Sequence, residues 1–281
     1  CMYFFLRSRR FGPSAAALGS AVFMLNAFTA TWLEFEHVPI LGGLTALMLW
    51  AVERSNPFGL ALAGGLALHA GHLQFCLYLG PLVALYAIVR RVSLARLALG
   101  AALAVALSAP VTFPFLQLQS LSQRPALELS RQAAPLASYL PTLLSPDFWG
   151  NPARGLMVNR VQANLIFSEF ACYVGFLPLL LALVGVFSPG GVMTRRERAF
   201  WGLVALGALW AASATFPYSQ LAEVAPFLGR LVPGRVLILF VLAGAMLSAQ
   251  GCQRLEEDYQ RISRRLASGA LAAGALWLGL A

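Results

Sequence analysis

Eight apolar runs follow one another along this chain, at 14–31, 39–53, 57–70, 75–89, 97–116, 169–187, 199–214 and 233–250. Incomplete apolar helices at 1–6 and 267–281 flank them. Crossing a bilayer takes roughly 20 predominantly apolar residues, and backbone inside lipid must bond to itself. Such a train of runs predicts an all-α fold, a polytopic transmembrane helical bundle forming one domain over 1–281. Cys1 opens in the tail of a helix and Ala281 falls inside an unfinished apolar run, so the sequence reads as an internal fragment truncated at both ends.

Residues 57–89 read either as one long helix or as two short ones broken at Gly71–His72. The arginines decide. With a break, Arg7, Arg9, Arg10, Arg54, Arg90, Arg91, Arg96, Arg195, Arg196, Arg198, Arg254, Arg261, Arg264 and Arg265 share one side, which is 14 of the 20 basic residues against 6 opposite. Without it the sides swap after residue 89 and the tally becomes 10 against 10. Cytoplasmic loops collect Lys and Arg, so the broken arrangement is expected, with 32–38, 71–74, 117–168 and 215–232 outside. The third of these is an extracytoplasmic loop in which 135–149 reads as short interfacial helix. Tyr139, Phe148 and Trp149 are expected there at headgroup depth.

Composition agrees with this topology. Hydrophobic residues make up 59 % of the chain and charged ones only 11 %, against about 25 % charged in soluble domains. The net charge of +9 rests on arginine alone and comes in short clusters between apolar runs. That excludes a nucleic-acid stripe and points to membrane lipids as partners. Cys1, Cys76, Cys172 and Cys252 are scattered and show no metal-ligand spacing. A phosphate-binding glycine loop and a nucleophile elbow are both absent from the sequence.

The chemistry therefore has to come from polar residues at the outer helix ends. Glu34, Glu36 and His37 crowd one seven-residue loop, where carboxylates beside a histidine could hold a divalent cation or act as a base. His69, His72 and Gln74 form a second group: two histidines three apart share a face if the helix continues and could ligate a metal, with no third ligand evident nearby, and the group reads equally well as a hydrogen-bonded cap at the helix break. Asp147, Trp149, Asn151, Arg154, Asn159, Arg160, Asn164 and Glu169 mix an aromatic face with acids and amides, as a carbohydrate surface does; an ordinary interfacial loop has the same make-up. Glu169 also opens an apolar run, where the helix dipole favours a carboxylate. Arg230 and Arg235 lie outside against the general bias, either as planar phosphate clamps or as headgroup anchors.

The order of these features resembles a known family. GPSAAALGSAVFMLNAF follows a basic loop, His37 precedes Pro39, GHLQ marks the break, PDFWGN closes the long loop, Glu169 precedes YVGFLPLLLALVG, and RLVPGR opens a helix. Together they look like the YfhO-type bacterial membrane proteins, which are similar to the GT-C glycosyltransferases. The resemblance implies a GT-C-like fold in the inner (cytoplasmic) membrane and a polyprenyl-phosphate-linked sugar donor. The acceptor would be a cell-envelope polymer or lipid outside the membrane. No residue here matches the family's catalytic acid; from the residues themselves Glu36 and His37 in the second outer loop are the catalytic candidates and His72, Gln74, Trp149, Glu169, Arg230 and Arg235 the substrate-binding ones, the two arginines matching the family's stretch loosely because Gly234 intervenes, with no metal ligand assigned and a divalent cation left open as cofactor. The family's catalytic acid lies in a first outer loop that would precede Cys1. A transporter or flippase of a lipid-linked precursor, and a non-catalytic assembly or O-antigen ligase or polymerase-type protein, remain as alternatives.

Topology makes the first testable prediction. Single cysteines placed at Gln74 and Arg91 should react with membrane-impermeant maleimide from opposite sides; labelling from the same side would restore the unbroken helix.

Overall fold

The helix-breaking residues place the elements. In the computed structural model the described residues are 1–121, 134–151, 154, 156–157, 167–225, 228 and 231–280, and they are mostly helical. α1 spans Met2–Ser8, α2 Pro13–Leu25, α3 Ala27–Thr31, α4 His37–Glu53, α5 Pro57–His69, α6 Leu73–Val89 and α7 Leu94–Leu121. After the long loop come α8 (Leu136–Leu144), α9 (Phe176–Phe187), α10 (Arg195–Ala212), α11 (Tyr218–Val224) and α12 (Leu237–Leu280). Gly150–Asn151 pairs antiparallel with Leu156–Met157. Proline stands at the first position of α2 and α5, where no helical N–H is lost.

Among the described residues three helical stretches are long and apolar enough to cross a membrane: Pro13–Thr31, Leu94–Gln119 and Pro233–Arg261. His37–Glu53, Pro57–His69, Leu73–Val89 and Phe176–Phe187 are apolar but shorter. The surface is apolar as well as the core, since Phe4, Leu25, Phe58, Phe113, Leu118 and Phe187 are all exposed. A water-facing domain rarely carries so much contiguous apolar surface.

The break at 70–72 is present. α5 stops at His69, Gly71 turns the chain at φ +83°, and α6 starts at Leu73. The 14–31 run is divided by Asn26, whose side-chain oxygen caps α3 at Thr29 N–H (2.8 Å) while its amide donates to the Phe23 carbonyl (2.7 Å). The 169–187 run becomes helical only at Phe176, because 171–175 is non-helical. The expected separation of a helix at 233–250 from another at 267–281 is not found; α12 continues through both. Its middle is made of good helix formers, and Arg254 pairs with Glu257 (3.3 Å) and Asp258 (2.8 Å) one turn on. At 1.5 Å per residue its 44 residues extend about 66 Å.

The first half of α12 is apolar all round, which only a buried helix tolerates. Leu237, Val241, Leu242, Ala243, Ala245 and Ala249 are fully enclosed by α2, α9 and α10. Two glycines let α9 and α12 meet backbone to backbone. A Cβ on Gly185 would strike the Leu247 carbonyl, and one on Gly251 the Leu181 carbonyl. Small residues are the usual means of close helix approach where solvent cannot drive association.

The helices alternate between two ends. At one end, Arg9, Glu53, Arg90 and Glu197 form a buried network across four segments. Arg9 bonds Glu53 at 3.2 Å and Glu197 at closer range, and Arg90 bonds Glu53 (2.7 Å) and Glu197 (2.7 Å). The Tyr86 hydroxyl donates to Glu53 at 2.6 Å, and Glu197 closes a capping box with Thr194. Arg10, Ser55 and Arg91 end α1, α4 and α6 at this end with positive φ, each followed by a back-bond across the last turn. Trp32, His37, His72, Glu169 and Arg235 gather at the other end.

Tyr139 departs from expectation. It is fully buried and its hydroxyl donates to the Ala212 carbonyl (3.1 Å), so it anchors α8 to α10 instead of facing headgroups. Phe148 is exposed, and α8 is a helix within 135–149.

Adding one methyl group at the α9–α12 contact should be costly. Overpacking typically costs about 1–3 kcal/mol, so Gly251→Ala should lower the thermal midpoint clearly. Gly43→Ala, in the interior of α4 where nothing lies within 4 Å, should not lower it and should raise it slightly, since Ala is the better helix former.

Candidate functional site

Arg235 is the centre of the histidine end. It sits in the 3-10 turn Pro233–Val236 that leads into α12. Gly234 beside it lies so close to the Glu169 backbone that a Cβ would collide with the Glu169 carbonyl. That close approach carries Glu169, at the end of the turn Phe167–Glu169, to the arginine. Arg235 Nε donates to Glu169 Oε1 at 3.1 Å, and Nη1 donates to Gln74 Oε1 at 3.1 Å. The same Nη1 lies 3.3 Å from His72 Nε2. The Trp32 ring faces the guanidinium at 5.4 Å, a cation–π distance.

Each partner is held in turn. Gln74 donates its amide to the Val232 carbonyl (2.8 Å) and to Tyr78 (2.9 Å). The Trp32 indole donates to the Ser168 carbonyl (3.1 Å) and packs edge-on against Phe75. His37 stacks on His72 with ring centres 4.9 Å apart. Arginine only donates, so His72 Nε2 must accept, which puts the ring proton on Nδ1. His72 Nδ1 and His37 Nε2 are buried without a partner among the described residues. His72 lies in the turn between helices. Burial pushes its pKa down to about 4, with Arg235 and then His37 adding to the effect.

His37, His72, Gln74, Glu169 and Arg235 therefore share one cluster. Glu36 precedes it by one residue, but its exposed side chain makes no hydrogen bond or ion pair among the described residues. His69 turns back on its own helix, with Nδ1 2.9 Å from the Gly65 carbonyl. Trp149 belongs to the separate 145–151 turn; its indole donates to the Ser138 carbonyl (2.8 Å) and its ring meets Phe148. Asp147 in that turn pairs with Arg154 (3.7 Å) and accepts from Asn151. Arg230, Asn159, Arg160 and Asn164 lie outside the described residues.

Two expectations need correction. Arg235 is not a free clamp, because Glu169 already balances its charge. Glu169 is not the first residue of a helix; α9 starts seven positions later, and the carboxylate is an ion-pair partner. The sequence pattern does not single out Trp32 and Tyr78, although their position beside the outer loops is a usable signal. Among the described residues no three His, Cys, Asp or Glu side chains converge as a metal site requires.

An apolar groove of about 370 Å³ is lined by chain neighbours of the cluster, with none of the cluster's own side chains in its wall. It is lined by Leu33, Val38 and Pro39 around His37, by Phe23 and Gly42, and by Ile238 one turn beyond Arg235. The site thus combines a partly exposed guanidinium, two neutral-prone imidazoles and an apolar flank.

The low His72 pKa has a stability signature. Between pH 6.5 and about 4 the unfolded chain takes up a proton that the folded site refuses, so stability falls on acidification through that window. The thermal midpoint of the parent should drop over it, and His72→Gln should flatten part of the slope.

No protein-family model, no curated protein and no solved structure matches this chain.

Proposed function

We propose that the histidine end faces outward from a bacterial inner membrane that the chain crosses several times, and that it transfers a sugar. The donor is a polyprenyl-phosphate-linked sugar and the acceptor a hydroxyl of a cell-envelope polymer or lipid. One observation carries the reading: a guanidinium fixed by Glu169, His72 and Gln74, with chain neighbours of His37 and Arg235 lining an apolar groove. A lipid-linked phosphate needs that combination, with a cation for the phosphate and an apolar flank for the first isoprene units.

The reaction assigns each group a task. The acceptor oxygen attacks the anomeric carbon as the bond from that carbon to the phosphate oxygen breaks. The acceptor proton passes to His37 Nε2, a ring nitrogen without a partner among the described residues. Glu36, one residue before it, contributes charge at the loop surface. The leaving polyprenyl phosphate changes from monoanion to dianion. Arg235 Nη2, which no described group engages, donates a hydrogen bond to the phosphate as its charge grows, while Glu169 stays paired at Nε. Donors fixed in advance favour the transition state over the ground state. Trp32, under the guanidinium, provides the aromatic face at this cluster.

A flippase reading would draw on the buried charges at the opposite end. Those four neutralise one another at helix ends and do not line a midplane path, the usual place for transport groups.

Transfer from a polyprenyl-phosphate sugar into acceptor, measured on the purified protein in lipid, tests the proposal. Arg235→Ala should lose about 10²–10³ in rate, as removal of a fixed donor does elsewhere. Arg235→Lys should recover only part, because Lys keeps the charge and loses the planar fork. Parent-like turnover in Arg235→Ala would leave this residue a structural tie for Glu169.

A further inference from the structure

The arginine-rich end carries a second feature that the sugar-transfer reading does not use. A polar pocket of about 410 Å³ is lined by Glu53, Ser55, Arg90, Arg91, Ser93 and Arg96. Its charges are unevenly balanced. Arg9 and Arg90 are offset by Glu53 and Glu197. Arg91 and Arg96 are exposed, and their side chains form no hydrogen bond or ion pair among the described residues. The pocket wall therefore has two uncompensated positive charges. The first turn of α7, whose leading N–H groups lack intrahelical acceptors, begins at Leu94 on the same wall.

The pocket does not stand alone. A narrow cleft shares Ser55, Val92 and Arg96 with it and continues past Leu60 and Leu97. Leu60 and Leu97 in turn line an apolar groove of about 550 Å³. α7 packs closely on α5 and hardly touches α6, which leaves this groove between α6 and α7 with α4 and α5 as its floor. On α7 the groove runs from Leu94 to Val105, about 16 Å of helix at 1.5 Å per residue. A bilayer core is about 30 Å thick, so the groove is about one leaflet deep. Its α7 wall is made of exposed small or apolar positions, among them Ala98 and Ala101.

We propose that this track binds an anionic phospholipid of the adjoining leaflet. The phosphate sits between Arg91 and Arg96 at the mouth, and one acyl chain lies in the groove between α6 and α7. Two guanidiniums without a described partner outweigh the single negative charge of a lipid phosphodiester, and Arg engages phosphate oxygens in planar pairs. A zwitterionic head offers the same phosphate but brings its own cation against the two arginines, and a neutral head offers no anion at all. A free phosphate would leave the groove empty and gain nothing from it.

Titration of dioctanoyl phosphatidylglycerol into the chain, purified in neutral detergent at pH 7.5 and followed by thermal shift, tests this. The anionic lipid should give a saturable stabilisation, while dioctanoyl phosphatidylcholine and inorganic phosphate at equal concentration should not. Arg91→Gln with Arg96→Gln should weaken the apparent affinity tenfold or more; Arg91→Lys with Arg96→Lys should retain part of it. Neither arginine side chain has a described partner to lose, so the fold should tolerate both changes. Ala101→Phe, which fills the groove and leaves the arginines in place, should weaken binding of the lipid. Equal stabilisation by phosphatidylcholine, or unchanged affinity in the Gln variant, would overturn the proposal. Inorganic phosphate as effective as the lipid, or indifference to Ala101→Phe, would reduce the track to a simple anion pocket and overturn it as well.

Discussion

Four charges inside an apolar bundle set the terms for everything else. Arg9, Glu53, Arg90 and Glu197 come from the α1–α2 turn, the end of α4, the end of α6 and the start of α10. Each is costly in a low-dielectric setting unless its partners stand in place, and removing one member of a buried pair typically costs about 3–5 kcal/mol. The network is satisfied only when all four segments reach the same depth. That requirement fixes the axial register of α4, α6 and α10, and so fixes which residues arrive together at the far end. Back-bonded turns at Arg10, Ser55 and Arg91 hold the chain reversals that make this possible.

The two ends are built differently. At the arginine-rich end the carboxylates are saturated: Glu53 receives Arg9, Arg90 and Tyr86, and Glu197 receives both arginines and the Thr194 cap. At the histidine end one arginine is shared among three acceptors, and two imidazole nitrogens are left without partners among the described residues. Saturated groups hold a shape, whereas unsaturated ones bind. The contrast leaves open polar atoms on both imidazoles at the histidine end, and leaves Arg91 and Arg96, just outside the four-charge network, without a side-chain partner among the described residues.

Much of this arrangement is legible in the amino-acid sequence. Arginine counting locates the turn at Gly71–His72, because a single helix would spread the charges evenly. His37, His72, Gln74, Glu169 and Arg235 stand out as polar residues at the margins of apolar runs, where burial makes polarity expensive. Their pairing does not. The contact of Arg235 with His72 spans 163 positions and that with Glu169 spans 66, and no local pattern encodes separations of that size. Tyr139 misleads because an aromatic in a loop between spans resembles an interface anchor; only the position of α10 turns it inward. The continuity of α12 is hidden by its charged middle, which reads as a loop until the pairs one turn apart are seen.

The backbone contact between α9 and α12 has a mechanical outcome. Gly185 and Gly251 leave no side-chain layer between these helices to deform. Glu169 lies just ahead of α9 and Arg235 just ahead of α12, with Gly234 pressed against the Glu169 backbone. This half of the histidine-end site is held backbone to backbone. His37, His72 and Gln74 ride on α4 and α6, and Gln74 meets this half through its side chain at the Val232 carbonyl. Widening the site stretches the Arg235 contacts to His72 (3.3 Å) and Gln74 (3.1 Å) and spares the one to Glu169. Loading a ligand would then exchange the arginine's companions without shifting the arginine.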